Sequence, residues 1–196
     1  MSAPYHHGDL RRALVEAASV LLEEGGHEAL SLREAARRAG VSHNAPYRHF
    51  ADRDALLRAV AAQGLNQLAA SMAEARGTGG FRGVGEAYVA FALARPRLFR
   101  LMFARQSEAD RDDPHLAAAM QAALQPLSAN FQSLAAPGET NATMLAAWSV
   151  VHGLANLLLD ARVGHLTEGM SAPDLTRAVL NAFARGLMAE LRRAPA

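Results

Sequence analysis

The sequence predicts an all-α protein in two parts: a three-helix helix-turn-helix domain at the N-terminus, joined through a fourth helix to a larger helical C-terminal domain. Three observations carry that prediction. Apolar residues recur at spacings of three and four along most of the 196 residues, the period of an amphipathic helix, and no stretch alternates apolar and polar as a half-buried strand does. Gly and Pro punctuate the periodic runs at intervals suited to about nine helices. Residues 31–53 read as a helix, a tight turn around a glycine, a second short helix and the start of a third.

Taken in order, residues 1–8 read as a loose polar arm. Asp9 is placed to cap the first helix, whose apolar face carries Leu10, Leu14, Ala17, Ala18, Leu21 and Leu22. Gly25-Gly26 should end it. Ser31 and Glu34 have the spacing of a capping box, and Leu32, Ala35, Ala36 and Ala39 follow at helical period. Gly40 suits a turn that needs positive φ, with Val41 as an apolar plug. Ser42 is a second N-cap candidate, opening a short helix over residues 43–50. Pro46 would be its fourth helical residue, where only the bond back to the Ser42 carbonyl is lost. Asp52 caps the fourth helix, which keeps its period through Leu56, Leu57, Val60, Gly64, Leu68 and Met72. The run Arg-Gly-Thr-Gly-Gly at 76–80 should break it. These breaks suggest an N-terminal domain over residues 1–60 and a C-terminal domain over 61–196.

The second part reads as helical throughout. One helix covers 85–94 and is stopped by Pro96; another covers 97–105. Residues 110–113 form an acidic loop. Asp113 caps a helix with Pro114 at its first position, expected to run to 134. Pro137-Gly138 marks a loop, residues 139–161 a nearly all-apolar helix, and 164–171 another loop. A last helix spans 172–193.

Composition excludes several classes. There is no Cys, hence no disulfide framework and no thiolate metal site. The positive charge is all Arg, with no Lys, and the formal net charge is only +1. A nucleic-acid face must therefore come from where charges sit. No apolar run follows a basic start, so no secretory signal is expected. Residues 141–159 approach the length of a membrane span, but they contain Ser149, His152, Gly153 and Asn156, and the expected reading is a helix buried in protein.

Several residues carry candidate chemistry. In a helix-turn-helix the second helix offers its N-terminal side chains to the major groove. His43, Asn44 and Arg48 stand there; Arg pairs with guanine and Asn with adenine in bidentate fashion. Ser31, Leu32 and Ser42 supply backbone N–H groups or caps beside them. His152 lies one turn from Ser149, but Asp160 cannot reach the same imidazole and no nucleophile elbow is present. That leaves His152 as either a hydrogen-bonded core residue or a polar anchor for a ligand. The acids Asp110, Asp112 and Asp113 lack calcium-loop spacing. Neither a metal nor a cofactor is implied.

Residues 9–60 resemble the N-terminal domain of the TetR family of bacterial transcriptional regulators. The resemblance rests on the ordered set Ser31 to Ser42, Tyr47-Arg48-His49-Phe50 and Asp52-Arg53. It implies that Tyr47, His49 and Arg53 contact phosphates of a double-stranded operator, and that the protein is cytoplasmic. The C-terminal half contains Tyr88-x-x-Phe91, Arg95-Pro96, Leu101-Met102-Phe103 and Trp148-x-x-x-His152-Gly153. These resemble the Trp-His-Gly class of the family's C-terminal domains. As plain sequence, Phe91, Leu98, Met102 and Phe103 simply fill a core, as do Met120, Leu124 and Trp148. The resemblance implies instead that they, with His152, surround a cavity for a small apolar ligand. It also implies a homodimer through the helices at 139–161 and 172–193, where Ala178, Ala182 and Gly186 allow close helix approach. The function so implied is a ligand-released repressor; an activator or a structural DNA-binding protein is the alternative, and a hydrolase the remote one.

Overall fold

The computed structural model describes residues 7–104, 107–129, 140–167 and 169–191, and among them every regular element is helical. In chain order these are α1 (His7–Ala29), α2 (Leu32–Arg38), a 3-10 turn (Ala45–Arg48), α3 (Arg53–Ala94), α4 (Pro96–Met102) and α5 (Glu108–Arg111). Then come α6 (Pro114–Ser128), α7 (Thr140–Leu159), α8 (Gly164–Thr167) and α9 (Ala172–Leu191).

The chain forms two compact units. One joins Met1–Leu65 with Arg95–Met120; the other joins Asn66–Ala94 with Gln121–Ala196. The first unit is built on the apolar stripe of α1. Leu14, Ala18 and Leu22 are fully buried, with Leu30, Ala35, Ala36, Phe50, Leu56 and Val60 around them. α4 also belongs to this unit, docked on α1 through polar groups. The Glu23 carboxylate accepts from the Leu98 amide at 2.7 Å, capping the third position of α4, and Arg97 donates to the Glu23 carbonyl at 2.8 Å. A carboxylate at a helix N-terminus also meets the positive end of the helix dipole. Arg95 donates to the buried Ser19 hydroxyl at 2.8 Å. Arg58 meets Asp110 at 3.6 Å and Asp113 at 3.4 Å.

In the second unit the stretch of α3 after Gly80 packs on α9. A β-carbon at Gly85 would stand 2.7 Å from a Leu180 methyl, so only glycine lets Leu180 seat there undisturbed. Phe81 and Phe183 stack at 5.8 Å between ring centres. α7 packs on α9, and a stripe of α7, Ala147, Val151, Leu154 and Ala155, is buried.

Several expectations need correction. α1 starts at His7, so Asp9 lies inside it rather than capping it, and residues 1–6 of the expected arm lie outside the described residues. Its break falls at Gly26 (φ 74°), after which one more turn runs to Ala29. The 76–80 run does not end the fourth helix as a block. Only Gly80 leaves helical geometry (φ 57°), because the other glycines still close helical hydrogen bonds. α4 stops at Met102, α6 at Ser128, and one turn of helix interrupts the expected loop at 164–171; the expected continuation of α6 to 134 lies largely outside the described residues. The acidic segment is only partly a loop: Ser107 and Asp110 make a reciprocal capping box that opens α5, which holds Asp110 and Arg111, while Asp112 and Asp113 lie beyond it. The apolar helix is long and apolar enough to cross a membrane by length and composition, yet only 22% of its apolar window is buried within the chain. The expected burial holds for one face only; the other, with Leu145 at 56% and Leu157 at 43% exposure, is not covered by this chain.

Candidate nucleic-acid interface

The N-terminal turn forms as its residue types dictate. Ser31 sits in extended backbone (φ −142°, ψ 158°) and its hydroxyl accepts from the Glu34 amide at 3.1 Å. α2 closes on Gly40 (φ 69°), with the Val41 amide bonded to the Ala36 carbonyl at 3.0 Å. That is a glycine C-terminal stop, with the chain turned sharply into the next segment.

The next segment departs from the expected α-helix. It is a four-residue 3-10 turn, Ala45–Arg48, preceded by Asn44, which makes no side-chain cap bond. Ser42 is therefore not its cap; the Ser42 carbonyl accepts from Ala45 at 3.0 Å instead. Pro46 is the cause. It offers no N–H to the Ser42 carbonyl and its ring crowds that carbonyl, so an α-turn from Ser42 through residue 46 is blocked. The Pro46 carbonyl then accepts from both His49 and Phe50 at 2.9 Å. Phe50, 3% exposed, anchors the end of the segment in the core, and the Arg11 guanidinium lies 5.3 Å from its ring centre.

The result is a short polar edge standing on a buried base. Ser42, His43, Asn44, Tyr47 and Arg48 are exposed, Tyr47 by 52%, whereas Pro46 is buried and His49 half-buried. Leu32 is buried, so only its backbone is available to a partner. Three charges on α2, Glu34, Arg37 and Arg38, are already paired. Arg37 binds the Glu34 carboxylate through Nε at 3.0 Å, and Arg38 binds Glu24 at 2.7 Å. Hydrogen bonding to these guanidinium groups lowers both carboxylates and raises both arginines from their ordinary pKa values. Arg48, by contrast, has no carboxylate partner among the described residues. Arg53 does not sit on this edge. It is half-buried, with Nε donating to the Leu30 carbonyl at 2.8 Å and Nη2 to the His27 carbonyl. No sequence signal marks this, because the acceptors are backbone atoms more than twenty positions away.

The ligand candidates fall in both units. In the first, Leu98 and Met102 are buried and press on Gly64, where a β-carbon would stand 2.8 Å from the Met102 sulfur. Phe103 packs at 5.0 Å on Phe99, and Met120 is half-buried. Met102 also borders a cleft of about 260 Å³ with Leu57, Arg58, Leu101, Asp110 and Leu116. In the second unit, Phe91 and Leu124 are half-buried. There, Trp148 and His152 are brought together by Tyr88, which stands in the C-terminal motif but not among the ligand candidates. The Trp148 indole donates to the Tyr88 oxygen at 3.2 Å, and that oxygen lies 2.8 Å from His152 Nδ1. The Tyr88 hydroxyl can donate to Nδ1 or accept from it, and the His152 tautomer sets which. Tyr88 is 1% exposed and burial pushes its phenol upward, away from ionisation. Burial also holds His152 below the ordinary histidine pKa. Ser149 donates to the Leu145 carbonyl at 2.7 Å, so its hydroxyl is not directed at His152.

Comparison with known proteins agrees with this architecture. The family described as "Bacterial regulatory proteins, tetR family" matches residues 14–60, and "Tetracyclin repressor-like, C-terminal domain" matches residues 81–183. Among solved structures, one described as a protein with unknown function from Rhodococcus sp. RHA1 is 34% identical, with a TM-score of 0.77 over 94% of this chain and 98% of that one. The TetR family transcriptional regulator PfmR from Thermus thermophilus is 21% identical, with a TM-score of 0.61 over 88% and 97%. The regulator FadR from Bacillus subtilis, solved in complex with stearoyl-CoA, is 14% identical, with a TM-score of 0.69 over 89% and 98%. No curated protein matches. The two family matches, in the order and at the positions where the helix-turn-helix and the C-terminal helices stand, make this chain a member of the TetR family and so a DNA-binding transcriptional regulator.

Proposed function

We propose that the protein is a homodimeric repressor that leaves a pseudo-palindromic operator when a small apolar ligand binds. The observation that carries the DNA reading is the exposed polar edge of residues 42–48, held on a buried base by Pro46 and Phe50. Arg48 and Asn44 are its base-reading candidates, with His43 beside them; Tyr47, His49, Ser31, Leu32 and Ser42 flank them on the backbone side. The dimer reading rests on α7 and α9. Leu145 and Leu157 are exposed on α7, and Ala178, Ala182 and Gly186 form an exposed strip of small residues on α9. A two-fold four-helix contact through these faces would bury them. It would set two recognition segments about 34 Å apart, the spacing of successive major grooves. Such a protein works in the cytoplasm, where the chromosome lies.

The ligand reading rests on Trp148 and His152, joined through Tyr88 in the second unit, with the half-buried Phe91 and Leu124 of the same unit as further candidates. Leu98, Met102, Phe103 and Met120 of the first unit are the further candidates. A ligand acts only through its different affinities for the DNA-bound and released states.

The test is a competition gel shift with DNA flanking the protein's own gene, in excess unrelated DNA, at near-physiological salt. A discrete band that survives competition is expected. Sequence-indifferent binding that never saturates refutes the regulator reading in favour of a structural DNA protein. An apolar extract that abolishes the band supports the released-repressor reading; an extract that strengthens it points to an activator.

A further inference from the structure

Arg53 occupies the position where the family resemblance implies a phosphate contact, yet its guanidinium is turned inward. Nε and Nη2 donate to the carbonyls of Leu30 and His27. Those two carbonyls bracket the connection between α1 and α2. Gly26 departs from helical geometry (φ 74°), so residues 27–29 form a last turn of α1 beyond a kink, and the Leu30 amide donates to the His27 carbonyl at 3.3 Å. Ser31, the N-cap that decides where α2 begins, follows directly. A planar guanidinium fork spans two fixed acceptors in a way that a rotating ammonium does not. Arg53 also opens α3 immediately after the recognition edge. One side chain therefore ties the start of α3 to the α1–α2 connection, directly before the Ser31 cap of α2.

We propose that Arg53 is a positioning residue for DNA recognition: it fixes the 27–31 connection, and with it α2 and residues 42–48, and does not neutralise a phosphate. The inference rests on the DNA-binding reading, and the wild-type protein serves as the control for that reading. If wild type fails to shift any duplex, the DNA reading fails, whereas the clamp is still measured by hydrogen exchange without DNA.

The experiment compares wild type, Arg53→Lys and Arg53→Ala against a duplex enriched by the wild-type protein from a random-sequence pool, over a series of salt concentrations. Lys keeps the charge but loses the fork. Both variants are expected to bind more weakly by a similar factor, on the order of tenfold, with the wild-type dependence on salt unchanged. Backbone amides of residues 30–32 should exchange faster in both variants in the absence of DNA. A phosphate contact gives the opposite pattern. Arg53→Lys then stays close to wild type, and the logarithmic salt slope of Arg53→Ala is shallower by about 0.9. That pattern, or unchanged exchange at 30–32, overturns the proposal. Should Arg53→Ala fail to fold, the Lys variant alone decides, through its affinity and its exchange.

Discussion

Replacing Tyr88 by Phe removes one oxygen atom and tests the polar cluster of the second unit directly. The hydroxyl accepts from Trp148 and lies 2.8 Å from His152 Nδ1, and Tyr88 is 1% exposed. The ring keeps its place, so no large cavity opens and the loss is confined to two hydrogen bonds. A neutral hydrogen bond contributes about 0.5–1.5 kcal/mol net, and a buried group left unsatisfied costs about 1–3 kcal/mol. Trp148 and His152 are half-buried, so water reaches part of what is lost. The expected destabilisation is about 1–3 kcal/mol, read from urea denaturation with the change placed in the midpoint rather than the slope. A double-mutant cycle of Tyr88→Phe with His152→Ala should show coupling of about 0.5 kcal/mol or more, as residues in one network do. A stability change under about 0.3 kcal/mol together with a cycle that closes additively within error would refute the hydrogen-bonded network.

Four further outcomes are expected. Burial lowers the folded pKa of His152 below 6.5; the unfolded chain therefore binds the proton first as pH falls, and this group's contribution to stability, complete above 6.5, declines from there down to the folded pKa. Denaturation midpoints that rise on acidification through that window, and fall again in His152→Gln, would contradict it. Arg48→Ala should relax base preference at one operator position by about 1–3 kcal/mol; a loss equal across all sequences on a binding-site selection removes Arg48 from the bases. Ser31→Ala should cost about 1 kcal/mol of stability through loss of the α2 cap, and a thermal melt identical to wild type would show the cap to be idle. Leu145→Asp with Leu157→Asp should convert the dimer to monomer in light scattering; a dimer that persists places the interface elsewhere.

Much of the N-terminal unit is legible in the sequence because its signals are local. The Ser31 cap, the Gly40 turn and the Asp52 cap each depend on residues within one turn of one another, and each forms in the structure. The helical period is enough for the all-α class, since the apolar spacing that buries Leu14, Ala18 and Leu22 is the spacing that makes α1 a helix. Local reasoning fails where two local rules compete. Ser42 reads as a cap and Pro46 as a tolerable fourth residue, but the missing N–H and the crowding of the Ser42 carbonyl convert the expected helix into a 3-10 turn.

What only the tertiary structure decided involves atoms far apart in sequence. That α4 belongs with the N-terminal unit follows from the Glu23 carboxylate capping Leu98, seventy-five positions away. Tyr88 joins Trp148 and His152 across sixty or more positions, and Arg53 is turned to the carbonyls of His27 and Leu30. Residue type announces which groups can donate or accept. Which donor meets which acceptor is set by how the helices pack, because a carbonyl is present at every position and only the fold brings one within reach.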